Sequence, residues 1–188
     1  AGARPLHATV AALEPGAARL AGGETVAADH VVVAAGAGSA ALIGLPVTPV
    51  PGLMILTAPA RARIAHVLTA PELMLRPADG GRILAGAEAG GSEIDRASGA
   101  IAAALLDQVR DMIAEPGLAL ARIVIGRRPM PADEHPLIGP VPGRPGVYAA
   151  VMHSGVTLAP GVAELVAGEV LDGTGAPLLA PFRPARLA

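Results

Sequence analysis

Most of the chain alternates apolar with polar positions or carries short unbroken apolar runs, and helical spacing stands out in two places. Leu6 to Leu13 reads as a strand, closed by the turn Glu14-Pro15-Gly16. Arg19 to Val26 contains Gly22-Gly23, a hairpin turn. His30 to Ala35 is a continuous run (His-Val-Val-Val-Ala-Ala) that suits a strand buried on both faces, as in a parallel sheet. Gly36-Ala37-Gly38-Ser39 then turns into a short helical piece that Pro46 must end. Between Val47 and Ala87 the candidate strands are Met54 to Thr57, Ile64 to Leu68, Leu73 to Arg76 and Arg82 to Leu84. Asp79-Gly80-Gly81 joins the last two as a hairpin, so an antiparallel sheet is expected.

Ser98 to Ile113 is the clearest helix, with Ile101, Leu105, Val109 and Met112 at helical spacing and Pro116-Gly117 beyond its end. Ala119 to Gly126 reads as a strand, Arg127 to Pro145 as a proline-rich loop, and Val147 to Met152 as another apolar strand. Gly161 to Leu171 is the second helix, and the end of the chain reads as an irregular tail. This order is not the regular strand–helix alternation of a complete doubly wound domain.

Composition narrows the chemistry. The 188 residues carry a formal net charge of −2, 52% hydrophobic residues, one Tyr, one Phe and no Trp. A phosphate-backbone binder and aromatic stacking platforms for nucleic acid are therefore not expected. Absent cysteine removes disulfides, zinc–thiolate sites and cysteine nucleophiles, and no metal site is expected. Every basic residue is Arg, so lysine Schiff bases and a P-loop are excluded. Val31 to Ala60 is uncharged, but its glycines and prolines interrupt any membrane-spanning helix. No signal peptide pattern opens the chain, which makes a cytoplasmic location the expectation. Its first residue is Ala rather than Met, a hint that it begins inside a longer one.

Gly36-Ala37-Gly38-Ser39-Ala40-Ala41 fits the dinucleotide pattern G-x-G-x-x-A after a strand. Its context does not: the following helix is short, and the nearest downstream acid, Glu72, is too distant to hold a ribose. A strand-to-turn junction where two backbones approach is the simpler reading.

Two later segments carry more. In Gly126-Arg127-Arg128-Pro129 and the residues up to Gly139, a cationic pair leaves a strand. An arginine there can grip a carboxylate bidentately, or the pair is simply solvated. In Val147 to Pro160, a strand runs through His153-Ser154-Gly155 into a helix. Its N–H groups can face an electron-rich ligand, or Ser154 or Thr157 merely caps the helix.

Together these segments resemble the C-terminal signature of the FAD-dependent D-amino acid oxidase and glycine oxidase superfamily. Arg128-Pro129 matches its R-P, Pro136-Leu137-Ile138-Gly139 its P-x-I-G, and Gly155 to Pro160 its G-x-x-L-A-P. His30 to Ser39 resembles an upstream strand that reads VVVAAGAWS in many members, with Gly38 in place of Trp.

The resemblance implies an α+β fold. Residues 1–46 and 127–175 would belong to a Rossmann-like FAD-binding domain lacking its N-terminal βαβ unit. Residues 47–126 would form a mostly antiparallel substrate domain that includes the helix 98–113, and 176–188 the tail. The implied reaction oxidises an amino acid or related amine by hydride transfer to flavin N5. Arg128 would pair with the substrate carboxylate, and His153 is a weaker catalytic candidate that could instead tune the flavin. Ser154, Gly155, Val156, Thr157 and Leu158 would meet the flavin ring, Ala35 and Gly36 would pack against the cofactor, and Val10 would meet the adenine. The implied partners are a small amino acid or amine and a second chain that carries the GxGxxG half. The rival reading is a non-catalytic truncated module, or a subunit that needs a partner chain carrying the GxGxxG half. With part of the cofactor contacts missing, the isolated chain is expected to expose an apolar face.

Overall fold

A computed structural model describes residues 2–71, 73–90 and 93–187. Glu72 therefore lies outside the described residues. The chain divides into two compact units, one built from residues 1–49 and 129–188 and the other from 50–128.

The first unit opens with an antiparallel three-stranded meander, β1 (Val10–Glu14), β2 (Ala17–Leu20) and β3 (Thr25–Ala27). Leu6 to Thr9 stand outside β1, contrary to the sequence expectation; they are exposed, and the ladder with β2 begins at Val10, beyond the single bond from Ala21 N–H to Thr9 O. β4 (Val31–Val33) belongs to a second sheet. A single 3-10 turn, Gly36–Gly38, leads into α1 (Ser39–Ile43), which Gly44 ends before Pro46 is reached.

The second sheet joins β4 to two later strands in the order β10 (Leu137–Pro140), β11 (Val147–Val151), β4. β11 runs parallel to β4, with Val147, Tyr148 and Ala149 opposite Val31, Val32 and Val33, and antiparallel to β10. One face of this sheet supplies Val33, Val147, Ala149 and Val151 to a core shared with Ile43 and Leu137. The other supplies Ile138, Tyr148 and Met152 to a core under α3 (Gly155–Asp172). α3 starts six residues before the apolar spacing suggests and carries Pro160 inside it.

The second unit centres on a five-stranded sheet. Its order is β6 (Leu68–Ala70), β7 (Leu73–Ala78), β8 (Arg82–Gly90), β5 (Val47–Thr57), β9 (Leu120–Pro131). The expected hairpin at Asp79-Gly80-Gly81 joins β7 to β8. Ile64 to Val67 is not a strand. β5 and β9 run further than the apolar pattern suggests, because both continue through alternate prolines. Pro49 and Pro51 stand two apart, so both turn their missing N–H toward one edge, and the pairing with β8 begins only at Gly52.

Strict alternation then divides this sheet into two faces. Leu53, Ile55, Leu75, Ile83 and Ala85 are buried against α2 (Glu93–Met112), which answers with Ile94, Ala102, Leu105, Leu106 and Val109. Each Leu, Ile or Val among them contributes roughly 1.5–3 kcal/mol. Met112, expected on that stripe, is 43% exposed; the helix ends there and Ile113 packs against the core instead. The one buried hydroxyl of this core, Thr57 Oγ1, donates to Ala58 O and accepts the Ile83 N–H.

The expected tail is ordered. Two short 3-10 segments, Pro177–Phe182 and Pro184–Leu187, lie against β10, and Leu179 and Pro184 are buried.

Candidate functional site

In the first unit, the parallel pair β4 and β11 sends its two carboxyl ends to the same edge, the place where open α/β sheets receive ligands. Gly36 follows one end and Ser154-Gly155 the other. Gly36 has φ near +54°, a conformation that suits a residue without Cβ, and a Cβ there would meet nothing within 4 Å. Both Gly36 and Gly155 line one apolar trough of about 530 Å³, together with Val32, Ala34, Ala150, Met152 and the side of α3 from Ala159 to Leu171.

The first turn of α3 has no side-chain cap. Ser154 Oγ lies 3.0 Å from His153 Nδ1 and is turned away from the helix N–H groups. The first-turn N–H groups, which have no intrahelical partner, are left as donors at the positive end of an 18-residue helix. Val156 is 95% exposed beside them. This donor set, with small residues at Gly36 and Gly155, suits the electron-rich edge of a planar ring. The glycine motif does not suit the dinucleotide end: α1 spans only five residues.

The remaining expected positions scatter. Ala35 is exposed at the start of the 3-10 turn, Thr157 and Leu158 are exposed on α3, and His153 is exposed at the end of β11. Val10 begins β1 in the meander, paired with Leu20, and does not line the trough.

In the second unit, Arg128 lies on β9, and not in the loop that the prolines suggest. Its guanidinium rests on Gly52: a Cβ there would stand 3.4 Å from Arg128 Nε. That Nε is buried and has no hydrogen-bond partner. A buried N–H without an acceptor costs about 1–3 kcal/mol, and more for a charged group. The same arginine borders a cavity of about 360 Å³ on the open face of the sheet, lined also by Gly52, Met54, Thr69, Met74, Gly86 and Arg127. Gly52 and Gly86 were not singled out by sequence; the fold sets Gly52 against Arg128 and Gly86 in the lining of the same cavity.

A different polar cluster ties the C-terminal segment down. Arg183 pairs with both oxygens of Glu169 on α3, and Tyr148 on β11 donates its hydroxyl to Glu169 Oε2. Glu169 Oε1 also accepts the Ala176 N–H. The Arg183 hydrogen bonds hold the Glu169 carboxyl down at about 2, while burial and the Glu169 carboxylate push the Tyr148 phenol up to about 12. Arg186 similarly grips Asp133 through Nε at 2.5 Å and Nη2 at 2.9 Å, lowering that carboxyl to about 2. Gly139 leaves space for Arg183, whose Cδ would lie 2.9 Å from a Cβ there.

Among the described residues no cluster could hold a metal ion, and no helix is long and apolar enough to cross a membrane.

The family model of the FAD dependent oxidoreductases matches residues 1–169. Glycine oxidase of Pseudomonas putida KT2440 is 34% identical over 173 residues, which cover 85% of this chain and 46% of that protein. Among solved structures, glycine oxidase from Geobacillus kaustophilus superposes with a TM-score of 0.71 at 27% identity, over 92% of this chain and 48% of its own. Iminodiacetate oxidase from Chelativorans sp. BNC1 gives 0.74 at 25% identity, over 96% and 53%. The chain thus spans about half the length of the curated relatives it matches.

Proposed function

Because this chain belongs to the FAD-dependent oxidoreductase family, we propose that it supplies the substrate-binding face and the ring-facing turn of an enzyme that oxidises an amino acid or related amine. The observation that carries this reading is Arg128, a cation whose buried Nε has no acceptor of its own. A substrate carboxylate would supply that acceptor and fix the amine end of the molecule by a bidentate contact. When bound, FAD takes up the hydride equivalent. The first turn of α3 would stabilise negative charge at the ring edge through its free N–H groups, with Gly36 and Gly155 admitting the ring closely. No side-chain nucleophile is required, in keeping with a chain that has neither Cys nor Lys. His153 would shape the turn through its contact with Ser154.

The finer reading is that a strand–GxGxxG–helix unit, continuous with this chain or on a partner, holds the ADP half of FAD. β4 supports it as the edge strand of its sheet, with Val32 43% exposed beside the trough along α3. From Gly155 to Leu171 that trough follows roughly 24 Å of helix axis, longer than a ring system needs. The test is an absorption spectrum of the purified chain after incubation with FAD and removal of excess. The chain alone should retain no flavin band. Stoichiometric retained flavin would overturn the shared-cofactor reading and leave the role of Arg128 standing.

A further inference from the structure

The open face of the five-stranded sheet carries more than an anchor for a carboxylate. Register sets Met54 on β5, Gly86 on β8 and Met74 on β7 in one row, and Thr69 on β6 stands opposite Met74. Residues directly opposite one another share a face, so the two methionines flank a position that has no side chain. The gap is tight: a Cβ on Gly86 would stand 3.4 Å from Met54 Cγ and 3.8 Å from Leu53 O. Gly86 does not have a positive φ, so glycine contributes space here and not conformational freedom. β5 and β7 lie two strand spacings apart, about 9.6 Å between backbones, and the methionines narrow what remains. The cavity runs from this row to Arg128 beside Gly52. Among the residues whose side chains are described, those lining it include no carboxylate, and Thr69 is the one uncharged polar side chain.

Resting on Arg128 as the carboxylate anchor, we infer that the row Met54–Gly86–Met74 is the pocket for the substrate's side chain. It selects short, unbranched apolar chains. A cationic side chain would be desolvated between two thioethers, which are only weak acceptors, and a branched one exceeds the slot. Two thioethers form adaptable walls for a flexible chain.

The test does not depend on flavin. The full chain, labelled with carbon-13 in its methionine methyls, is titrated with acetate, propanoate, butanoate and pentanoate. The methyls of Met54 and Met74 should shift, and that of Met112 on α2 should not. Affinity should rise about fourfold per methylene, the gain from burying one CH₂. The cationic 4-aminobutanoate should show no such gain. Gly86→Ala should flatten the chain-length dependence, and Met54→Ala should weaken it. An undiminished dependence in Gly86→Ala, or still methyls while butanoate binds, overturns the assignment. Should Gly86→Ala not fold, the methyl shifts and Met54→Ala decide. Binding of every acid unchanged in Arg128→Ala, or no binding at all, would instead remove the anchor and this inference with it.

Discussion

Arg183 and Arg128 sit in opposite electrostatic situations. Arg183 meets both oxygens of a carboxylate that is also held by Tyr148 and by the Ala176 N–H. Arg128 lies on a glycine, at the border of a cavity that methionines and a threonine also line, with its buried Nε unpaired. The first arginine completes a closed set of donors and acceptors and so fixes the fold. The second holds an unfilled requirement at the border of a cavity, where folding gains nothing from it.

The sharpest way to break this contrast is Arg183→Ala. It would strand Glu169, whose side chain is 8% exposed, without its counter-ion. Losing one partner of such a pair costs about 3–5 kcal/mol, read as a large drop in the chemical or thermal midpoint. Arg128→Ala should do the reverse. Its stability should change by less than about 1 kcal/mol, as for substitutions that break no internal network. Its carboxylate binding should fall by about 2–5 kcal/mol, the loss when one side of a charged contact is removed. A large stability loss in Arg128→Ala would show that the two arginines do the same job.

Acid is the gentlest probe. Glu169 and Asp133 both have folded values near 2, below their ordinary 4.5 and 3.8. Their contributions are therefore complete above about pH 5 and fade as the pH falls toward 2, as the unfolded chain takes up protons first. Circular dichroism melts across that range should show stability falling with acid. Arg183→Ala should flatten the part that Glu169 supplies.

Much of the strand pattern was legible from local periodicity. The valine run at Val31–Val33 does sit in a parallel pair, but as an edge strand with Val32 43% exposed and not buried on both faces. The Asp79-Gly80-Gly81 hairpin joins antiparallel strands. What local pattern could not show depended on partners far along the chain. β9 passes through Pro129 and β5 through Pro49 and Pro51, residues that signal loops unless a neighbouring strand leaves their N–H side free. The ordered C-terminal segment has weak apolar periodicity. It is held by Arg183 and Arg186, whose partners stand 14 and 53 residues away. At the site, a short motif pointed to Arg128, but Gly52 and Gly86 acquire meaning only once the sheet sets Gly52 against it and Gly86 in the same cavity.

The parallel pairing of β4 with β11 also sets a timetable. Val31 must wait for Val147, with the whole 50–128 unit made in between. At ribosomal speeds of about 5–20 residues per second, that delay is roughly 6–23 s. During synthesis the 50–128 unit, an uninterrupted stretch, is the first of the two that can close. Until β11 emerges, the valines of β4 lack their parallel partner, and that side of the strand stays open.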